Sequence, residues 1–534
     1  MLFGAQDGPP SAASGPVRST GGMVATSHPL AVEAGLAAMS RGGTAVDAAV
    51  AAAAVLSVVD PPSTGMGGDL FALVWPAGAE APLALASAGI APSGLSVEAL
   101  RAAGHGAMPA DGPWTITVPG AARGWAELLE RYGRLGMDAA LAPAIDAAER
   151  GFDVTPVVAR SWAGAGPKLA RDEASAALFL PGGAAPEEGA RFANPDLAGS
   201  LRAIADEGSD ALYEGRLGAR IASAVERAGG PLGAADLAAW RGPAWSEPIS
   251  LDLGGATLYE HPPPGQGVVV LEALAIYREL DPSGPLDEEH AAIESLRLAF
   301  ADAFRHVADP SVETVPVESL LRSRVRERAA AVRPDRPAHL PGGPAPGGDT
   351  VYVAAVDPEG GACSLIQSLF HAFGSGVTVP GTGIVLHNRG AGFTLADGHP
   401  NRPEPGKRPY HTIIPAMLRA GDGFLGCLGV VGAFMQPQGQ LQILRNVLDR
   451  GMDPQTAIDA PRFRISERSE RSRVAVEVGF PAEVAEGLAR MGHEVGRLAW
   501  WDAGGAQLVL RAEDGSLLGG SDPRKDGRAG ALPG

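Results

Sequence analysis

Residues 48–59, AAVAAAAVLSVV, form the longest apolar run of the chain. Thr44 stands just before it with Asp47 three residues on, and Pro61 and Pro62 follow. This spacing predicts a helix capped at Thr44 and stopped by the prolines. Its near-continuous apolarity predicts burial on most sides. The segments VPGAARGWAELLERYGRL and LAPAIDAAERGF read as an amphipathic helix pair, and DEEHAAIESLRLAFADAFRHVADP as a long helix ending before Pro310. Strands are predicted at GMVATS, DLFALVW and ATLYEH.

Beyond residue 349 the pattern changes. TVYVAAVD, ACSLIQSLF, GIVLHN, HTIIPAML, FLGCLGVV, RVAVEV, AQLVLRA and SLLGGSD are short strands, with helices near 438–450, 454–460 and 481–492. Several strands are apolar on both faces, so their sheet should be covered on both sides, in layers of helix, sheet, sheet and helix. Just upstream, residues 333–349 read RPDRPAHLPGGPAPGGD, with five prolines and four glycines. A loose tether therefore runs straight into a strand that begins at Thr350. PEGG at 358–361 is a turn, so TVYVAAVD should pair antiparallel with ACSLIQSLF. With Asp357 opposite Ala362, Thr350 meets Leu369 to within one register step, and Ser368 lies beside it.

Length and composition narrow the possibilities. A chain of 534 residues can form several domains or one large α/β body, and it needs no disulfide or metal staple. Cys363 and Cys427 are too few for a secreted disulfide framework. The first residues lack the basic and apolar regions of a signal peptide, and the 48–59 run is too short to span a bilayer. A soluble cytoplasmic protein with no membrane partner is expected. The net charge of −18 argues against a nucleic-acid partner, which would need clustered Lys and Arg.

Familiar catalytic signatures are missing. There is no GxSxG and no GxxxxGK[ST], and GDGFLG at 421–426 leads into a strand rather than a helix, as a hairpin turn does. The histidines and cysteines lack metal-ligand spacing, so no metal is expected. What remains is the threonine after the tether. A threonine at a chain start carries its own base, an α-amine with pKa of roughly 8 that can take the hydroxyl proton. By itself the stretch also fits an ordinary linker before an ordinary strand. Ser368 could bond the Thr350 hydroxyl or amine, or simply strand backbone. An oxyanion needs N–H donors in a tight turn, and Gly432 and Ala433 sit at such a bend in GCLGVVGAFMQPQGQLQIL; a plain strand-to-helix connection would look the same.

Taken together, the chain resembles the γ-glutamyltranspeptidase family of N-terminal-nucleophile hydrolases. The resemblance runs from MVATSHPLAVEAGLAAMSRGGTAVDAAVAAAAVLSVVDPPSTGMGGDLFALVW through VPGAARGW, LYEGRLGARI, HPPPGQG and HAAIESLRLAFADA. It continues in GGDTVYVAAVD, FGSGVTVPGTGIVLHNRG, GKRPYHTIIPAML, MDPQTAIDAPRFR and GGSDPRKDG. It implies an α+β fold, a four-layer αββα sandwich with two central, mostly antiparallel sheets. It also implies autocatalytic cleavage between Asp349 and Thr350, giving a large subunit, 1–349, and a small subunit, 350–534. Thr350 would then attack a γ-glutamyl amide, and water or an amine would resolve the acyl-enzyme. In this resemblance Ser368 matches the hydroxyl residue that assists the nucleophile, and Gly432 with Ala433 the paired glycines of the oxyanion hole. Alanine there costs something only if its φ is positive.

Other positions depart from the family. The arginine that grips the glutamate α-carboxylate falls near Ala88, the asparagine after the assisting hydroxyl becomes Phe370, and the acidic residue that binds the substrate amine falls at Gly392. The serine pair becomes His411 and Thr412. This pattern is similar to the glutathione-hydrolase-like branch and to relatives such as oxamate amidohydrolase and cephalosporin acylases, and it disfavours transpeptidation relative to hydrolysis. Arg389 can offer a bidentate fork to a substrate carboxylate, with Arg408, His411 and Thr412 completing a polar pocket; as a loop-fixing residue it would instead bond backbone. A small-molecule substrate and no cofactor are expected. The competing reading from another class is an unprocessed binding relative.

Overall fold

The computed structural model describes residues 15–340, 348–421, 423–466 and 471–533. Two seven-stranded sheets, antiparallel throughout, lie at its centre. One has the order Val17–Ser19, Leu517–Ser521, Gly505–Arg511, Gly423–Val431, Ala416–Ala420, Thr257–Glu260, Ile249–Asp252. The other runs Arg528–Ala531, Met23–Thr26, Asp349–Val356, Ala362–Phe370, Asp69–Trp75, Leu83–Ser87, Ala244–Ser246. This is the expected α+β architecture, a four-layer αββα sandwich.

The period-2 alternation of each strand builds the layers. Val351, Val353 and Ala355 face the helix side and pack with the helix Ala45–Val59. Tyr352, Ala354 and Val356 face inward and meet Met417, Cys427 and Val509 of the facing sheet. On the far side Leu428, Val430 and Leu508 pack against the helices Gly267–Leu280 and Met435–Leu448. The expected capping box is present: Thr44 caps the N-terminus of the Ala45–Val59 helix, Asp47 returns the bond, and all fifteen helix residues are buried. No described helix is long and apolar enough to cross a membrane.

Both sheets take strands from either side of residue 349. The two parts of the chain therefore share both cores rather than forming separate domains. Part of the tether, residues 341–347, lies outside the described residues.

Two expectations shift. HTIIPAML is a strand only from Ala416; its first five residues bond outside any ladder. His411 N–H donates to Pro264 O, Ile414 N–H donates to Gln436 Oε1, and the Thr412 carbonyl accepts from Gln266 Nε2. Buried glutamines thus stand in for the missing strand neighbour, and Pro415 has no N–H to pair. The hairpin register also differs by one step, with Val356 rather than Asp357 opposite Ala362.

Candidate active site

Between Val351, opposite Gln367, and Asp349, opposite Phe370, the ladder shifts, so Ser368 and Leu369 together oppose the single residue Thr350. This bulge is held from outside the hairpin. Leu369 N–H donates to Ser63 O, Asn388 N–H to Leu369 O, and Phe370, at φ +78°, sends its N–H back to Ser368 Oγ over 2.8 Å. The bulge turns Ser368 toward the nucleophile candidate. Thr350 Oγ1 lies 3.1 Å from Ser368 Oγ, and the residue is only 2% exposed. The Ser368 hydroxyl in turn donates to the Asp349 carbonyl oxygen over 2.8 Å. Thr350 Oγ1–H can thus donate to Ser368 while Ser368 polarises the carbonyl immediately preceding Thr350. That is the arrangement for an attack on that carbonyl.

Gly432 (φ +110°) and Ala433 (φ +50°) form the bend between the strand Gly423–Val431 and the helix Met435–Leu448. Ala433 does sit in the left-handed region, at a cost of roughly 1–2 kcal/mol that glycine would avoid. The bend lies against the tether: a Cβ added to Gly348 would stand 2.5 Å from Ala433 Cβ and 2.9 Å from Phe370 O. Gln266, from the HPPPGQG motif, fixes the bend. Its Nε2 donates to Ala433 O (2.9 Å) and Thr412 O (2.7 Å), and Tyr410 Oη donates to its Oε1 (3.2 Å). The motif was visible in the sequence, but the role of Gln266 rests on partners about 145 and 165 residues away.

A cavity of about 610 Å³ opens beside Phe370 and Phe434, lined also by Phe304, Tyr410, Thr412 and His371. Burial holds His371 neutral, lowering its pKa to about 4. Gly392 lines the same cavity, and a Cβ there would approach Tyr410 O to 2.4 Å. No acidic side chain fits at that position without moving the Tyr410 backbone. Ala88 is buried.

The structure places the four polar candidates unevenly. Thr412 reaches the cavity. Arg389 is fully buried behind Phe370, its guanidinium carbon 4.4 Å from the ring centroid. Nε donates to Asp69 Oδ2 (2.9 Å), Nη1 to Thr412 Oγ1 (3.2 Å), and Nη2 has no partner. Its bonds go to side chains rather than to backbone carbonyls. Arg408 gives its backbone N–H, Nε and Nη2 to Asp309, which ties down the loop and holds that carboxyl at about 2 in spite of burial. His411 turns away from the cavity and stacks on Phe71; its Nδ1 donates to Pro409 O, and Nε2 stops 3.4 Å from Asp69. Asp69 is buried, but His387 and His411 beside it carry its carboxyl well below the usual range against the burial penalty. Sequence reasoning missed this Asp69 centre, whose partners lie more than 300 residues downstream.

A sequence model of the gamma-glutamyltranspeptidase family matches residues 31–532. The glutathione hydrolase-like YwrD proenzyme of Bacillus subtilis (strain 168) is 38% identical, the match covering 95% of this chain and 98% of the relative. The oxamate amidohydrolase proenzyme of Klebsiella pneumoniae is 37% identical over 96% of this chain and 98% of the relative. Among solved structures, the cephalosporin acylase from Bacillus halodurans superposes with a TM-score of 0.92 at 41% identity, covering all of both chains.

Proposed function

The chain belongs to the gamma-glutamyltranspeptidase family and is an N-terminal threonine hydrolase; on that premise we propose that it cuts its own backbone between Asp349 and Thr350. The freed Thr350 then hydrolyses the amide of a small acid. The observation that carries this reading is the Thr350–Ser368–Asp349 carbonyl arrangement. In the intact chain Thr350 Oγ1 adds to the Asp349 carbonyl carbon, its proton passes to the Thr350 nitrogen, and the C–N bond breaks to leave an ester. Water hydrolyses the ester, releasing Asp349 as a carboxylate. The amine left on Thr350 becomes the base for the second reaction, in which Oγ1 attacks a substrate amide and water resolves the acyl-enzyme. N–H groups of the Gly432–Ala433 bend receive the developing oxyanion.

For the acyl group, γ-glutamyl amides such as glutathione are the first reading, supported by the glutathione hydrolases among the relatives. A non-glutamyl acid amide is the second, favoured by Gly392, where backbone contact leaves no room for an amine-binding carboxylate. In both, the partnerless Nη2 of Arg389 is the cationic donor for an acyl carboxylate, reached when the Phe370 ring swings aside. Without the usual glutamyl clamp the ester does not wait for an amine, so hydrolysis outpaces transpeptidation.

The test is direct. Purified protein should run as two subunits on a denaturing gel, and Thr350→Ala as one 54.3 kDa chain without turnover. A split Thr350→Ala chain, or wild-type turnover from an intact chain, overturns the reading. Comparing γ-glutamyl-p-nitroanilide with glutaryl and oxamate amides decides between the acyl classes.

A further inference from the structure

The Asp349 side chain is itself held, in a small cavity that shares no lining residue with the large one. Its Oδ2 accepts a 2.5 Å bond from Ser161 Oγ, in the helix Pro156–Leu169, and its Oδ1 lies 3.7 Å from Lys525 Nζ near the other end of the chain. These three residues line that small cavity with Ser27, Asp60, Ser63 and Asp526. Lys525 is the cation of the group. Burial works against its charge, but Asp349, Asp60, Asp526 and Asp522 keep it protonated. Asp526 is occupied elsewhere, accepting from Val157 and Val158 N–H at the start of the Ser161 helix and so fixing that helix against the Lys525 loop.

We propose that Lys525 and Ser161 are positioning residues for self-cleavage, a clamp on the Asp349 carboxylate that presents the 349–350 bond to Thr350. The proposal rests on the reading that this bond is the one cut. Three anchors then fix residue 349 in space. Ser368 holds its carbonyl oxygen, Ala433 and Phe370 O enclose the preceding Gly348, and Ser161 with Lys525 holds its side chain. A five-membered-ring attack needs the carbonyl carbon turned toward Oγ1, and a hold on the Asp349 side chain adds to the strand pairing with Phe370 in fixing the rotation about that residue. The charge matters as well. Addition of Oγ1 creates an oxyanion on the residue that already bears a carboxylate, and the Lys525 ammonium offsets that neighbouring charge. No other reactant enters: the Thr350 oxygen forms the new bond, the Thr350 nitrogen leaves with the proton, and water supplies the rest.

The experiment follows first-order maturation of freshly translated full-length chain on denaturing gels. Lys525→Met should lengthen the precursor half-life at least tenfold, and Lys525→Arg, which keeps the charge, should restore it to within a few fold. Asp349→Ala should be slow too, and adding Lys525→Met to it should slow it no further, because the lysine acts through that carboxylate. Maturation of Lys525→Met at the wild-type rate overturns the clamp, as does additivity of the two changes. A Lys525→Arg chain as slow as Lys525→Met, both with lowered melting temperature, also overturns it by showing a fold defect. Thr350→Ala run alongside separates the two failures: if it splits, the cleavage site is wrong; if it stays whole while Lys525→Met matures normally, only the clamp falls.

Discussion

The Ser368 hydroxyl donates to the Asp349 carbonyl oxygen over 2.8 Å while its own oxygen lies 3.1 Å from Thr350 Oγ1. One side chain therefore touches both partners of the first bond to form, and its orientation is set by the Phe370 N–H behind it.

From this contact, Ser368→Ala should slow maturation on the order of 10²–10³-fold, the range for losing a single donor to a developing oxyanion. Ser368→Thr keeps the hydroxyl and should mature within about tenfold of wild type. Time courses on denaturing gels measure both. An alanine variant that matures as fast as wild type would remove Ser368 from the chemistry and leave it a strand residue.

The seat of the tether offers a second prediction. Gly348 has φ +136°, and a Cβ on it would stand 2.5 Å from Ala433 Cβ. Gly348→Ala should therefore lift the tether off the 432–433 bend and slow maturation at least tenfold. Ala433→Gly removes the facing methyl, so the double variant should mature faster than Gly348→Ala alone, though short of wild type because the Phe370 carbonyl remains 2.9 Å away. In Ala433→Gly alone, relief of the left-handed φ and the greater freedom of the unfolded chain oppose each other, and stability should move by no more than about 1 kcal/mol. Maturation rates and urea midpoints of the three variants test the set.

How far the sequence reveals the site depends on the range of the bonds that build it. The Thr350–Ser368 neighbourhood follows from a turn and a strand pair within twenty residues, so it is legible even though the register is one step off. The bulge that brings the hydroxyls together is not, because Ser63 O and Asn388 N–H impose it from other parts of the chain. The same holds for Arg389. Its charge and loop are plain in the sequence, whereas its capture by Asp69, 320 residues upstream, is a product of the fold. The four-layer sandwich was readable from strands apolar on both faces, because burial on two sides leaves few alternatives. The irregular course of residues 411–415 was not, since its backbone bonds go to the glutamines Gln266 and Gln436.

Asp60 gives a prediction on pH. Burial first, then Asp349, raises its carboxyl to about 7, with Lys525 and the Ser63 hydroxyl pulling the other way and Asp526 adding to the rise. Between about pH 4 and pH 7 the folded chain keeps a proton that the unfolded chain has lost. Stability therefore falls as pH rises through that window and levels off above it. The fall is on the order of a few kcal/mol for a shift this large. Asp60→Asn should flatten that part of the profile. Urea midpoints at pH 4.5, 6, 7 and 8 (pH values about spanning the window), measured in the unprocessed Thr350→Ala background, compare the two chains. Parallel profiles would mean that Asp60 is ionised throughout.

Arg389 carries two predictions that separate by measurement. Its Nε–Asp69 contact of 2.9 Å is fully buried, so Arg389→Ala leaves a buried carboxylate with His387 as its hydrogen-bonded partner. Breaking such a pair from one side costs about 3–5 kcal/mol, and thermal unfolding should show it as a drop of several degrees. Arg389→Lys keeps the charge but loses the planar fork, and should recover part of that stability without recovering a bidentate carboxylate contact. If the unpartnered Nη2 holds the acyl carboxylate, both variants raise KM for glutaryl and γ-glutamyl amides and leave KM for a neutral acyl amide near wild type. A loss of kcat on every amide alike, with KM unmoved, would confine Arg389 to the Asp69 centre and leave the acidic-acyl reading without its cation.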